Sequence, residues 1–97
     1  MLVLIVRFTV KAGTENQARE YMRKMEENTR REPGCHMYVG HQSTDNPLQF
    51  AFYEQYNDQV ALDAHRAAPY FAQYVTNGLA PLMEEVTREL FRPVEEG

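Results

Sequence analysis

Apolar residues on both faces of two predicted strands constrain this fold more than any other feature. The segment from Leu2 to Val10 is rich in valine, isoleucine and leucine, and its first residues are apolar at consecutive positions. Because successive side chains of a strand point to opposite faces, this pattern predicts a strand that is covered on both sides. Phe50 to Tyr56 follows the same pattern, with Ala51 and Tyr53 between the other aromatic positions. The chain therefore needs cover for both faces of a sheet.

A long amphipathic helix follows the first predicted strand. Thr14 and Gln17 have the spacing of a capping box, which predicts that a helix begins there. Apolar residues then recur at helical spacing with charged residues between them. Pro33 and Gly34 are predicted to end this helix after about five turns.

The next elements are a hairpin and a broken helix. Cys35 to Gln42 predicts a second strand, and a short polar loop joins it to the third. Asn57 or Asp58 is predicted to cap a second helix. Pro69 breaks that helix and suits the first turn of a shorter one, which Gly78 and Pro81 are predicted to end.

The order of the elements predicts the fold class. Glu84 to Arg92 alternates polar and apolar residues and reads as a closing strand. The order is strand, helix, two strands, broken helix, strand, which predicts a ferredoxin-like β-α-β-β-α-β sheet of the α+β class, with helices on one face. A length of 97 residues predicts one domain over 1–97. The second sheet face is then an apolar patch too large for a monomer, so we expect a homodimer.

Charge and cysteine content narrow the classes of function. The net charge is −4 and the sequence pI is about 5.3, so we expect no nucleic-acid partner. Cys35 is the single cysteine, which excludes an internal disulfide and favours a reducing compartment, the cytoplasm. The apolar start of the chain is too short for a signal peptide or a membrane span, so we expect no membrane partner.

Three polar residues stand in apolar surroundings. His65 lies one turn after Ala61 on the second predicted helix, Glu54 shares the parity of the strand aromatics, and Asn28 lies beside the apolar stripe of the long helix. The plain structural interpretations are a hydrogen-bonded core histidine, an interface ion pair and an asparagine turned to solvent. The functional interpretation makes His65 a base or hydrogen-bond donor in a pocket walled by aromatic residues, because imidazole titrates near neutrality.

Other chemistries have no support in the sequence. It contains no glycine-rich phosphate loop, no paired cysteines and no Gly-x-Ser-x-Gly motif. His36 and His41 are five residues apart on a strand and point to opposite faces, which argues against a metal site. Cys35 and His36 are adjacent and also point apart, so they do not form a nucleophile–base pair. We therefore expect no metal and no cofactor.

Several motifs resemble one known family. They are Glu32-Pro33-Gly34-Cys35-His36-Met37-Tyr38, then Phe50-Ala51-Phe52-Tyr53-Glu54-Gln55-Tyr56, then Ala61-Leu62-Asp63-Ala64-His65, followed by Tyr70-Phe71. Their order and spacing resemble the antibiotic biosynthesis monooxygenase-like family over nearly the whole chain.

The resemblance implies a dimeric α+β barrel, in which two sheets pack face to face and each subunit keeps a pocket between its sheet and its helices. Enzymes of this family include cofactor-free oxygenases of quinols and anthrones, so the implied partners are a small aromatic substrate and O2. Carried over to this chain, the catalytic candidates are His65 and Glu54. The candidate substrate-binding residues are Asn28, Phe52, Tyr53, Phe71 and Tyr74.

The resemblance also leaves alternatives open. Relatives that degrade haem use a tryptophan on the second helix, and this chain has no tryptophan, which disfavours that activity. A pocket enzyme of another class, such as an isomerase or an enzyme that processes a small sugar-derived signal, is the second reading on this fold. A non-enzymatic dimeric ligand-binding protein is the third reading. An enzyme needs a cavity beside His65, whereas the third reading predicts that side chains fill that volume.

Overall fold

A computed structural model describes residues 1–96, and it confirms the predicted order of elements. The strands are β1 (Leu2–Val10), β2 (Cys35–Gln42), β3 (Gln49–Tyr56) and β4 (Met83–Phe91). The helices are α1 (Glu15–Thr29), α2 (Gln59–Ala67) and the short α3 (Pro69–Phe71). A π-helical segment (Ala72–Leu79), a 3-10 turn (Ala80–Leu82) and a last 3-10 turn (Val94–Glu96) complete the described chain.

The four strands form one antiparallel sheet in the order β2-β3-β1-β4. The main core lies on the face covered by the helices. Side chains at alternate positions of β1 and β3 supply it from the sheet, and Met22, Met25 and Leu62 supply it from the helices. This confirms the predicted α+β class with helices on one face of the sheet.

The first helix begins where the sequence predicts, but not for the predicted reason. Thr14 occupies the N-cap position, yet its side chain makes no capping hydrogen bond. Its hydroxyl instead donates to the carbonyl oxygen of Lys11 at 2.6 Å, so the predicted capping box with Gln17 is wrong. The predicted end at Pro33 and Gly34 is also about one turn too late. The helix ends at Thr29, and a hydrogen-bonded turn lies between Thr29 and Pro33.

The second and third helices are separated by proline, as predicted. Asp58 caps α2, since its carboxylate accepts a hydrogen bond from the Ala61 amide at 3.0 Å. Pro69 begins α3. The helical chain does not end at Gly78, because the π-helical segment continues to Leu79; it ends in the 3-10 turn that contains Pro81, directly before β4. A Cβ atom at Gly78 would lie 2.9 Å from the ring of Tyr21, so this glycine permits close packing on α1 rather than ending a helix.

No helix among residues 1–96 packs on the other face of the sheet. Along β1 this face includes Val3, which is buried, and Ile5, which is half-buried. Tyr53 on β3 is half-buried there, and Phe91 on β4 is 45% exposed. Among residues 1–96, no helix is long and apolar enough to cross a membrane.

Candidate active site

Helix α2 places His65 between the helical layer and the sheet. Ala61 and His65 are four residues apart, so they lie on the same face of the helix. His65 is only 2% exposed, and its ring lies against three aromatic rings. The ring centroids of Tyr38, Tyr56 and Phe71 are 5.5, 5.4 and 5.2 Å from that of the imidazole. The predicted orientation of His65 towards the sheet is confirmed.

Strand β3 places a carboxylate beside this histidine. Glu54 has the same parity as Phe52 and Tyr56, and all three are buried on the helical face of the sheet. The Tyr56 hydroxyl donates to Glu54 Oε1 at 2.6 Å. Burial of the carboxyl raises the pKa of Glu54 to about 7, although this hydrogen bond lowers it. Burial beside the same carboxylate raises the pKa of Tyr56 as well.

A second carboxylate reaches His65 from the turn after α1. The turn is closed by two hydrogen bonds, from the Glu32 amide to the Thr29 carbonyl at 3.0 Å and from the Cys35 amide to the Glu32 carbonyl at 3.2 Å. Gly34 lets this turn pack directly on α2, because a Cβ atom there would lie 2.6 Å from the Cβ of Ala61. The Glu-Pro-Gly sequence thereby brings Glu32 to the histidine one turn further along the same helix.

The two nitrogens of His65 have different partners. Nδ1 lies 2.9 Å from Glu32 Oε2, which also accepts a hydrogen bond from the Tyr70 hydroxyl. Because an ionised carboxylate can only accept, Nδ1 carries the proton and Nε2 keeps its lone pair. Nε2 lies 4.0 Å from Glu54 Oε1, too far for a hydrogen bond. Burial lowers the pKa of His65, although the hydrogen bond and charge of Glu32 raise it.

A small cavity of about 40 Å³ lies between the sheet and the helices, next to the His65–Glu54 pair. Apolar and aromatic side chains from the four strands, α3 and the π-helical segment form most of its wall. The residues that line it are Leu4, Val6, Tyr38, Phe52, Glu54, His65, Arg66, Phe71, Val75, Leu79, Met83 and Arg88. This volume has room for water but not for an aromatic ring, because a cavity that takes benzene measures about 150 Å³.

The structure brings four of the predicted site residues together and separates three. His65, Glu54, Phe52 and Phe71 all line the cavity. The three that lie elsewhere are Asn28, Tyr53 and Tyr74. Strand β3 therefore faces the cavity with Phe52 and Glu54, whereas Tyr53, at the opposite parity, faces away from it.

Each of the three separated residues has a specific environment. Asn28 donates from Nδ2 to the Lys24 carbonyl at 2.8 Å and lines an outer groove between α1 and α2. Tyr53 lies on the uncovered sheet face, where its hydroxyl oxygen accepts a hydrogen bond from Gln55 at 3.0 Å. Tyr74 packs against the edge of the core.

Other reactive side chains lie outside the cavity. The side chain of His36 contacts Asn57, and His41 is exposed. Burial raises the pKa of the Cys35 thiol to about 11, so it stays protonated near neutral pH and is a poor nucleophile. Within residues 1–96, no group of three histidine, cysteine or acidic side chains is arranged to hold a metal ion.

Sequence reasoning missed four polar residues around the pair. Glu32 contacts Nδ1 of His65 and accepts a hydrogen bond from the Tyr70 hydroxyl, and Arg66 and Arg88 stand at the cavity. The Glu-Pro-Gly turn was a signal for Glu32, but only the packing of Gly34 on α2 shows where its carboxylate goes. Arg66 had a weaker signal, namely its position directly after His65.

The fold and this pair define a small α+β protein with an enclosed histidine–carboxylate site. A model of the antibiotic biosynthesis monooxygenase family matches residues 1–77, and the chain belongs to this family. The match ends before β4, so Met83 and Arg88 lie outside it.

Relatives cover almost the whole chain. The protein named "Putative monooxygenase Rv0793" from Mycobacterium tuberculosis is 27% identical over 95 residues, which cover 98% of this chain and 93% of that protein. A crystal structure of an antibiotic biosynthesis monooxygenase has 29% identity and a TM-score of 0.90, and covers 97% of this chain and 99% of its own. The crystal structure of PA3566 from Pseudomonas aeruginosa has 26% identity and a TM-score of 0.89, and the match covers 96% of this chain and 93% of that one.

Proposed function

We propose that this protein is a cofactor-independent monooxygenase of a small electron-rich aromatic, a quinol or an anthrone, with His65 as the base. The main support for this proposal is the arrangement around His65. Its Nδ1 is hydrogen-bonded to Glu32, whereas its Nε2 is free and lies beside the cavity and Glu54. Family membership supports the reaction class, and the geometry of the pair supports the assignment of the base.

The gap between the two catalytic candidates suits a hydroxyl group. Nε2 of His65 and Oε1 of Glu54 are 4.0 Å apart. A single substrate oxygen placed between them can lie about 2.8 Å from each atom, within hydrogen-bonding distance of both. Because burial lowers the pKa of His65, its imidazole is neutral near pH 7 and ready to accept a proton. Glu54, with a pKa of about 7, can supply one.

The chemistry balances with oxygen as the oxidant. An anthrone-type CH2 group and O2 give a C=O group and water. His65 Nε2 takes one proton, and the resulting carbanion transfers an electron to O2. The two radicals combine to form a C–O bond, giving a peroxide. Loss of the second C–H proton then breaks the O–O bond and leaves the C=O group. The leaving oxygen takes one proton from His65 and one from neutral Glu54 and becomes water. Glu54 then recovers the second C–H proton through a water molecule. The substrate itself is the reductant.

The size of the cavity sets a condition on this proposal. A ring fits beside His65 only if side chains of the cavity wall move, because the volume is about 40 Å³. Phe71 and Val75 are the candidates, since both are half-buried and belong to the short helix and the π-helical segment rather than to the sheet. π-Helical segments are frequent at functional sites. The cavity also argues against the non-enzymatic reading, in which side chains fill the volume beside His65.

We also propose that a second copy of the chain covers the uncovered sheet face. This face consists of half-buried and exposed apolar residues, including Ile5, Tyr53 and Phe91, around the central strands. An apolar surface of this kind marks an interaction site in a protein that stays in solution. Two identical sheets packed face to face would satisfy it, as the dimeric α+β barrel implies.

The test is oxygen uptake with a panel of quinols and anthrones in metal-chelated buffer. We expect His65→Gln to lower turnover roughly 100- to 10,000-fold, as for the loss of a general base. His36→Gln is the matched control, because His36 is exposed and lies outside the cavity. Equal turnover by His65→Gln and wild type would refute the role of His65. Conversion of a substrate without oxygen uptake would instead support an isomerase that uses the same pair.

A further inference from the structure

Two arginines from different elements stand at the cavity that holds the catalytic pair. Arg66 follows His65 on α2, and Arg88 lies on β4 opposite Val6 of β1. Both side chains line the cavity, and both are exposed on their outer side. They therefore form a positively charged mouth to a cavity that is otherwise mostly apolar.

Neither guanidinium has a partner in the described part of the chain. Over residues 1–96, neither Arg66 nor Arg88 donates a hydrogen bond or forms an ion pair within 4.0 Å. Some other arginines of this acidic protein are paired, since Arg7 binds Glu89 at 2.7 Å and Arg23 binds Glu20 at 3.0 Å. Arg31 and Arg92 also have no such partner among residues 1–96, but they lie outside the cavity. Two guanidiniums with free donors at one mouth are suited to a planar anion such as a carboxylate.

We propose that the substrate carries an anionic substituent, a carboxylate or a similar group, which Arg66 and Arg88 bind at the mouth while its electron-rich ring enters towards His65. This deepens the proposed oxygenase function and rests on it for the identity of the ring. The two ends of such a ligand match the two ends of the site. Its charge lies at the solvent-exposed end, and its ring lies among Phe52, Phe71 and their neighbours. A charge held at the mouth avoids the cost of being buried in an apolar cavity.

The same contact affects the base. The positive charge of Arg66 lowers the pKa of His65, in addition to the larger effect of burial. Both Arg66 and Arg88 also act on Glu54, where they oppose the effect of burial on its pKa. A substrate anion bound to these arginines offsets their charge, so His65 becomes a stronger base when the correct ligand is present. The anion would then contribute to turnover as well as to affinity.

Binding of two matched ligands tests the proposal without requiring turnover. The probes are 2,5-dihydroxybenzoate and 2,5-dihydroxybenzamide, which share a quinol ring and differ in the charge of one substituent. We expect calorimetry to show the carboxylate binding about tenfold more tightly than the amide, with the preference falling as salt is raised. Arg66→Gln and Arg88→Gln are each expected to remove most of the preference. Arg92→Gln, an exposed arginine outside the cavity, is the control and should keep it.

The possible outcomes separate the two proposals. Equal affinity for the two ligands, or a preference that survives both substitutions, would overturn the anion site. A carboxylate preference that depends on Arg66 and Arg88, without oxygen uptake by any ligand, would support the anion site and count against the oxygenase. All three variants replace exposed side chains, so they should fold as the wild type does.

Discussion

His65 Nδ1 lies 2.9 Å from Glu32 Oε2, and this hydrogen bond decides which nitrogen of the imidazole can act as a base. The contact joins residues 33 positions apart in the chain. It also connects a buried ring to a carboxylate that is 18% exposed and lines the outer groove. We therefore propose that Glu32 is a positioning residue, since it reaches the proposed substrate only through His65.

Replacing Glu32 by glutamine tests this positioning role. The hydrogen bond and charge of Glu32 raise the pKa of His65 and so oppose burial; without them the pKa should fall further. Nitrogen-15 NMR of His65 is expected to show Nδ1 protonated in the wild type and a mixture of tautomers in Glu32→Gln. Turnover should fall at saturating substrate with little change in KM. The control is Glu27→Gln on the exposed face of α1, and an unchanged His65 spectrum in Glu32→Gln would contradict the role.

Gly34→Ala should move Glu32 away from His65 without changing either residue. The added Cβ would lie 2.6 Å from the Cβ of Ala61, so the turn must move away from α2 and take Glu32 with it. We expect a loss of about 1–3 kcal/mol in the free energy of unfolding, as for overpacking, and a His65 spectrum like that of Glu32→Gln. The double variant Gly34→Ala, Ala61→Gly removes the clash. If it does not restore the His65 spectrum, the close approach is not what positions Glu32.

Residues Cys35 to Gln42 show what the sequence could predict. The strand has its predicted bounds, as does Leu2–Val10, because alternation of side chains and flanking turn residues are local signals. The orientation of His65 towards the sheet also followed from helical spacing, and the shared parity of Glu54 with Phe52 and Tyr56 followed from the strand pattern. Glu32 did not, because its position depends on a turn that packs on α2. Gly78 was misread for a similar reason, since contact with Tyr21 is tertiary and not local.

The predicted lining residues divide by the same rule. Phe52 and Phe71, which were candidates through the family resemblance, both line the cavity. Tyr53 was included because the sequence could not show which face of its strand meets the helices. Asn28 was included as a neighbour of an apolar stripe, yet a hydrogen bond to the Lys24 carbonyl holds it against its own helix.

The uncovered sheet face predicts the oligomeric state. We expect the wild type to sediment as a dimer at micromolar concentration, and Ile5→Lys to sediment as a monomer, because a lysine at the centre of the face places a charge in the interface. Val60→Lys on α2 is the matched control, since Val60 is 75% exposed on the helical side of the molecule. A wild type that sediments as a single subunit would contradict the barrel.

The buried carboxyl of Glu54 makes stability depend on pH. Folding raises its pKa from 4.5 to about 7, so the folded state binds the proton more tightly than the unfolded state does. The free energy of unfolding must then fall as pH rises from about 4.5 to 7, because ionising the buried group costs energy. The groups that act on its pKa besides burial are Tyr56, Arg66, Glu32 and Arg88, and His65 lies beside it.

Glu54→Gln isolates this contribution, since glutamine keeps an oxygen to accept the Tyr56 hydrogen bond but cannot ionise. The rise in the pKa from 4.5 to about 7 corresponds to about 3 kcal/mol. The free energy of unfolding of the variant should therefore exceed that of the wild type by about 3 kcal/mol more at pH 8 than near pH 4.5. Urea unfolding of both proteins at these two pH values, at one fixed protein concentration, measures it. Glu27→Gln should show no such change. An equal difference at both pH values would mean that the carboxyl is not the group that titrates.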